Sequence, residues 1–584
     1  GSLALMRVAL PTPSSAGCAD SMRSSRARAG TLSTVSVAFI ALLLLWLGLG
    51  SYGLGNNNEG LYAAIAEDML ANGHWLMPHL NGVPYPEKPP FFYHLLALAF
   101  SLFGANEWSA RLVSAAATTA LLLLVFRFLL TTTGRTAARL GTLILGSSAG
   151  TVMLARSVMP DALLSLLFAA ALLGSFDAWQ RQSRKRLVVA FAALALAVLT
   201  KGLLALLLFV GIWTIFVVLR WRTDGRSAAR FLLQPMPWVA LVVIALPWHM
   251  AAAQEYPDFA WMYFWNEHVL RFLGQRIPQD TYSGSTLYYL PRVVLLFFPW
   301  IVFIPVALRR QAEKPGNGIT VFGAVATLCI LAFFSAAAAK ANYYVALALP
   351  FASVWLATRL AEMAEPRRRE LVVTAVLTVM MLVAGVWAVT QEVKWATVIA
   401  RGHWYTVTLS AVLLAIALAS AFCVRRGYLS LWLLPAQATI TLLALALAVN
   451  QTLEAKLSVR KLLRAANEQC SACELMLYRD YESMSAAGFY SEQHVLPVID
   501  SESADLWWGR QWRPGADAFV DSVGVLQAAQ AGKRIMVMVT KRDRAQFLGS
   551  SMGAYAKLLV RRAGTSVYRL TVPRDTEISL PPLP

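Results

Sequence analysis

Long apolar runs dominate the chain from residue 31 to about residue 450, and polar residues collect in the short intervals between them. A helix crosses a bilayer core in about 20 apolar residues. Runs of that order lie near 31–52, 108–130, 137–156, 160–179, 186–200, 202–220, 236–253, 287–308, 319–338, 343–361, 370–390, 404–424 and 429–449. A further run, 91–103 (FFYHLLALAFSLF), is too short to span. Beyond 450 the pattern changes to β-like runs at 474–479, 494–499, 534–540 and 566–572, alternating with helical stretches such as 482–490 and 541–549. Short strands alternating with helices predict a small α/β domain. The fold class is therefore a polytopic α-helical membrane protein of about 13 transmembrane helices, followed by a soluble C-terminal α/β domain.

Charge orients these spans. Basic clusters at 181–186 (RQSRKR), 220–230 (RWRTDGRSAAR), 309–314 (RRQAEK), 367–369 (RRR) and 425–426 (RR) share one side only if 91–103 does not cross. Lys and Arg mark the cytoplasmic side. The expected organisation is a cytoplasmic tail over 1–30, whose opening Gly-Ser reads as a tag remnant, a transmembrane domain over 31–450, and a domain over 451–584 on the outer side. In a bacterium this is an inner-membrane protein whose outer side is the periplasm. The same topology places the 53–107 and 254–286 loops outside, with all seven His on or near that face.

Composition agrees: of 584 residues 58% are hydrophobic and 14% charged, which excludes a soluble globular chain. The net charge of +19 sits mostly in short loops, where it sets orientation, so no nucleic-acid partner is expected. Of five Cys, only Cys470 and Cys473 pair in sequence, and they read as free or locally bridged thiols rather than a redox motif. No P-loop, dinucleotide fingerprint or zincin motif is present, so any energy comes from the substrate itself.

The informative anomaly is 56–90, NNNEGLYAAIAEDMLANGHWLMPHLNGVPYPEKPP, which is polar and turn-rich yet follows a span directly. Charged and amide groups beside a membrane are expensive unless they work. Asn58 and Glu59 are candidate catalytic groups, with helix N-terminal capping as the competing role. In Tyr85-Pro-Glu-Lys-Pro-Pro90, flanking prolines stiffen the backbone around a carboxylate and an ammonium. Lys88 suits a lipid phosphate, with snorkelling as its alternative. Asp161 follows Pro160 at the outer start of a span, where it also complements the helix dipole. Lys201 and Lys340 lie at outer helix ends, and Asn266-Glu-His-Val-Leu-Arg-Phe272 supplies His268 and Arg271. Glu87 and His268 form a two-ligand zinc candidate, competing with a polar loop histidine that binds no metal.

The runs NEGLYAAIAEDMLANGHWLMPHLNGVPYPEKPPFFYHL, FGANEWSARLVSA, ARSVMPDALLSL, LTKGLLALLL, NEHVLRF, FFPWIVFIP and KANYYVALALP occur in that order. Together they resemble the GT-C lipid-dependent glycosyltransferases, in particular the bacterial 4-amino-4-deoxy-L-arabinose lipid A transferases, relatives of protein O-mannosyltransferases. The similarity covers most of 30–450; the tail carries no matching motif but is compatible with that family's periplasmic domain. The resemblance implies a GT-C fold and an inverting transferase that moves the sugar from undecaprenyl phosphate to a lipid A phosphate, lowering surface charge and so polymyxin binding. Membrane lipids surround it, and a monomer is expected. The leaving lipid phosphate calls for cations, with Lys88 and Arg271 first, Lys201 and Lys340 next, and Tyr85, Tyr343 and Tyr344 as phenolic donors.

One position departs from the family pattern, which has Asp-Glu where this chain has Asn58-Glu59. Asn is no base, so a base would fall to Glu59 or Asp161. A phosphate acceptor, already ionised near neutrality, hardly needs one. Two rival readings stay open. One is a GT-C transferase of another sugar to protein or glycan. The other is a lipid flippase, which requires a hydrophilic path on the cytoplasmic side as well.

Overall fold

In the computed structural model, the residues described are 45–279, 282–313, 316–362, 454, 457–562 and 564–574. The expected spans at 370–390, 404–424 and 429–449, and most of 31–52, lie outside them. Five described helices are long and apolar enough to cross a membrane: Glu107–Thr132, Pro160–Gln180, Pro235–Glu255, Gly318–Ala336 and Tyr344–Ala361. Arg184–Lys201 packs along Pro160–Gln180 and matches a sixth expected run, its basic residues confined to its ends.

The remaining three expected spans are not straight. The run at 137–156 is Arg135–Gly146 and Ala149–Ala155, bent by 64°. At the break the Ser147 and Ser148 hydroxyls donate to the Leu143 and Ile144 carbonyls, at 2.5 and 2.6 Å, competing with the helix ladder. The run at 202–220 is Leu204–Leu219 joined to Trp221–Leu232 at 96°, across a polar corner where Arg220 pairs with Asp224 at 2.6 Å. The run at 287–308 is Thr286–Leu296 and Trp300–Arg309 at 102°, with Pro299, which has no N–H to donate, between them. Apolar length predicted the segments, and local backbone chemistry bent them.

The first large loop, after Tyr52, is itself folded. A helix, Asn58–Asn72, leads to a two-residue-per-strand hairpin, β1 (His79–Leu80) and β2 (Val83–Pro84), and then to the Phe91–Phe103 helix. Phe91–Phe103 has 13 residues, in keeping with a segment too short to cross.

The C-terminal domain holds a six-stranded sheet ordered β5-β4-β3-β6-β8-β7. These are β3 (Glu474–Tyr478), β4 (Val498–Ile499), β5 (Phe519–Val520), β6 (Ile535–Val539), β7 (Ala556–Arg562) and β8 (Thr565–Leu570). β5, β4, β3 and β6 run parallel, while β8 and β7 add antiparallel. Cys470 and Cys473 are joined in a local disulfide ahead of β3.

One apolar cluster joins this domain to the first loop, including Leu61, Ile65 and Phe92 on one side and Leu477, Met484 and Val498 on the other. A Cβ on Gly60 would lie 2.3 Å from the Ala486 backbone, so this close approach needs glycine. The Asn81 side chain exchanges two hydrogen bonds with the Leu496 backbone, at 2.8 and 2.7 Å. The domain is thus fixed over the loop as a roof.

Candidate active site

Between loop, spans and roof lies a cavity of about 1230 Å³. It is lined by most of the residues singled out from the sequence: Asn58, Tyr85, Glu87, Lys88, Lys201, His268, Arg271, Tyr343 and Tyr344. Glu59, Asp161 and Lys340 are not in its lining.

Lys88 is held by the stiff Pro-flanked turn. Its ammonium donates to the phenol oxygens of Tyr62, at 2.9 Å, and Tyr85, at 3.2 Å, and sits 4.9 Å from the Tyr62 ring centre. Neither phenol neutralises its charge, and among the described residues no carboxylate lies within ion-pair distance. Lys201 bonds Asp161 at 2.5 Å and faces the rings of Tyr343 and Tyr344 at 5.4 and 4.8 Å. Asp161 therefore acts on the cavity through Lys201.

Glu87 and Arg271 are ends of one buried chain of alternating charge. Glu87 pairs with Arg276 at 2.5 Å, Arg276 with Glu267 at 2.6 Å, and Glu267 with Arg271 at 2.7 Å. Arg271 also reaches the Tyr344 hydroxyl at 3.4 Å. Burial raises the Glu87 pKa, but the charges of Arg276, Lys88 and Arg271 outweigh it and hold the carboxyl below its ordinary value. Sequence reasoning missed Arg276 and Glu267, since nothing local marks them as partners of Glu87.

Several expected roles are corrected by this geometry. Glu59 is engaged on both oxygens: Arg111 donates through Nε and Nη2 at 2.9 and 2.8 Å, and the Gly55 and Val158 amides donate at 2.8 and 3.0 Å. Burial pushes its pKa up, and the Arg111 charge with these bonds brings it below the ordinary value. Glu59 is thus an anchor for Arg111, and the neighbouring Asn58 faces the cavity. Arg111, buried in the Glu107–Thr132 span, also donates to the carbonyls of Leu49, Tyr52 and Gly53. An arginine inside an apolar run was the available signal for it.

Lys340 caps a helix. It donates to the Phe334 and Ser335 carbonyls at 2.9 and 2.8 Å, at the end of Gly318–Ala336, where a cation complements the dipole. His268 is likewise committed. Its Nδ1–H donates to the Tyr263 carbonyl at 2.7 Å, and its Nε2 accepts from the Leu203 amide at 3.0 Å. Burial also keeps its pKa low, so the ring is neutral. With both nitrogens bonded to backbone, the residues present do not fit a zinc ion at Glu87 and His268.

The roof contributes the opposite polarity. Asp480, Glu482 and Asp505 line the same cavity from the C-terminal domain, with Arg542 reaching Asp480 at 3.3 Å. Burial moves the Glu482 carboxyl up to about 7. Apolar lining residues Leu207 and Leu273 are 58% and 55% exposed, and form an open greasy side. Charges of both signs line each side, Glu87 and Glu267 among the cations below and Arg542 among the carboxylates above, with cations in excess below, carboxylates in excess above and an apolar flank.

Residues 87–251 match a family model described as dolichyl-phosphate-mannose-protein mannosyltransferase. An undecaprenyl phosphate-alpha-4-amino-4-deoxy-L-arabinose arabinosyl transferase 1 of Pseudomonas fluorescens is 28% identical over 69% of this chain and 73% of its own length. A transferase of the same description from Shewanella sediminis is 33% identical over 53% of this chain and 56% of its own length. In structure, ArnT from Cupriavidus metallidurans bound to undecaprenyl phosphate superposes with a TM-score of 0.78, at 22% identity, over 92% of this chain and 98% of that one. Its apo state gives 0.77.

Proposed function

Since the chain belongs to the GT-C superfamily of lipid-dependent glycosyltransferases and is ArnT-like within it, we propose that it transfers 4-amino-4-deoxy-L-arabinose from undecaprenyl phosphate to a phosphate of lipid A. In this reading the reaction runs at the periplasmic face of the inner membrane. The observation that carries this reading is the split polarity of the cavity. Lys88, which no carboxylate pairs, meets an anion on one side beside Lys201 and Arg271, which keep Asp161 and Glu267, and the excess of Asp480, Glu482, Glu502 and Asp505 over Arg542 favours a cation on the other. A polyprenyl-phosphate amino sugar has this pattern, with an anionic phosphodiester beside the lipid and an ammonium on the sugar.

The polyprenyl tail would enter along the apolar flank at Leu207 and Leu273. The donor phosphate then meets Lys88, whose phenol partners direct but do not neutralise it. An oxygen of the lipid A phosphate attacks the anomeric carbon of the sugar. The bond from that carbon to the donor phosphate breaks on the far side, and its electron pair leaves on undecaprenyl phosphate. Configuration inverts, and no proton has to move because the acceptor oxygen is already ionised. Charge develops on the leaving phosphate, where preorganised cations lower the barrier most. Asn58 at the cavity wall, in place of an acid, fits an acceptor that needs no base.

A cationic sugar on lipid A reduces the negative surface charge that attracts polymyxin. Mass spectrometry of lipid A from cells that make the donor, with and without this chain, tests the proposal. Aminoarabinose on a lipid A phosphate only when the chain is present is the expected result; unmodified lipid A beside a membrane-inserted protein rejects it.

A further inference from the structure

We propose that Asp68, His74 and His79 form a zinc-class metal site that clasps the end of the Asn58–Asn72 helix to the β1–β2 hairpin, separate from the sugar-transfer cavity. One ligand atom from each lies within 4.8 Å of the others. Asp68 sits in the last turn of the helix. Gly73 then turns the chain in the left-handed conformation, φ 73°, and brings His74 back over Asp68. His79 opens β1.

The state of His79 points to a ligand. Its Nδ1–H donates to the Met77 carbonyl at 3.0 Å, which fixes the proton there and leaves a lone pair on Nε2. That Nε2 has no hydrogen-bond partner, on a side chain only 2% exposed. A buried acceptor without a partner is destabilising, and a metal ion is one group that satisfies it. Donation of the other ring nitrogen to a backbone carbonyl is how metal-binding histidines are usually oriented.

His74 and His79 are stacked, with ring centres 3.6 Å apart and planes at 15°. His74 Nδ1 lies 2.6 Å from Asp68 Oδ2, at hydrogen-bond distance. Zinc bonds of about 2.0–2.2 Å set tetrahedral ligands about 3.4 Å apart. Binding therefore opens the His74–Asp68 contact, expels its proton and draws His79 inward. His74, 30% exposed, leaves an approach for the ion and a water in the fourth position.

The clasp lies upstream of the residues that bind the donor. The hairpin it fastens carries Asn81, bonded to the roof at Leu496, and runs on through Pro84 to Tyr85 and Lys88. A metal there would stiffen the cavity wall without touching substrate.

The test uses the full chain purified in detergent and stripped with a chelator. Zinc is titrated against a chromophoric competitor, cobalt(II) binding is followed by its visible spectrum, and thermal unfolding is recorded with and without zinc. One equivalent of metal is expected, with a zinc-dependent rise in melting temperature. His79→Gln and the more exposed His74→Gln should each weaken binding by roughly tenfold or more and abolish the rise, while His268→Ala retains both. A folded wild-type chain that binds no equivalent, or equal binding by the His74→Gln variant, overturns the proposal.

Discussion

Glu59 grips Arg111 with two parallel bonds, Nε to Oε1 at 2.9 Å and Nη2 to Oε2 at 2.8 Å, on an arginine side chain that is 0% exposed. The remaining Arg111 donors tie the end of the first span to the same point through the Leu49, Tyr52 and Gly53 carbonyls. Removing one partner of a buried ion pair leaves an uncompensated charge and costs about 3–5 kcal/mol. Glu59→Ala is therefore expected to lower thermal stability by an amount of that order. Loss of transfer in this variant should track loss of fold, which unfolding and turnover measured on the same preparation will show.

Lys88 is expected to behave in the opposite way. Its partners are the neutral phenols of Tyr62 and Tyr85, so Lys88→Met leaves no buried carboxylate unpaired. The variant should fold and melt near the wild type. Transfer should fall by roughly 10²–10³, the range for losing one preorganised group at a developing oxyanion. Turnover and binding of undecaprenyl phosphate check both halves.

The two cations Arg276 and Lys340 separate two kinds of structural charge. Arg276→Leu takes the ion-pair partner from Glu87 and leaves Glu267 with Arg271 alone, and is expected to cost about 3–5 kcal/mol of stability and to displace Arg271. Lys340→Met removes only a helix C-terminal cation, so a loss of about 1–2 kcal/mol is expected, with turnover of the folded protein little changed. Denaturation curves of the two variants, side by side, measure the contrast.

Glu482 gives a pH prediction. Burial raises its carboxyl from 4.5 to about 7 in the fold, so folding favours the protonated form. Its contribution to stability is full below the unfolded value, declines as pH rises, and is gone above about pH 7. Glutamine can still accept the bonds that Ser503 and Asp505 donate, at 2.7 Å each, without ionising. Glu482→Gln should therefore melt higher than the wild type near pH 8, and the difference should shrink towards about pH 5. A constant difference across that range would contradict the assignment.

The sequence made the apolar helices among the described residues legible, because apolar length acts locally. Most of the residues it singled out line the cavity, since charges at predicted membrane depth are rare. It did not reveal which neighbour faces inward. Asn58 and Glu59 are one residue apart, about 100° around a helix, and only the Arg111 partnership decides that the amide meets the cavity. His268 looked like a metal ligand because its backbone partners, Leu203 and Tyr263, leave no trace in composition. The acidic side was hidden for another reason: Asp480, Glu482 and Asp505 come from a domain some four hundred positions downstream, joined to the first loop only by tertiary packing. The β5 and β7 strands were missed because one has two residues and the other is an exposed edge with a charged end.

The central claim is that the split cavity moves a cationic sugar between two lipid phosphates. The most direct test incubates the purified chain with undecaprenyl phosphate–aminoarabinose and lipid A, in detergent, and identifies the products by mass spectrometry. The prediction is aminoarabinose on a lipid A phosphate and free undecaprenyl phosphate with the wild type, both nearly lost in Lys88→Met. An intact donor beside folded wild-type protein, or equal turnover by Lys88→Met, would contradict it.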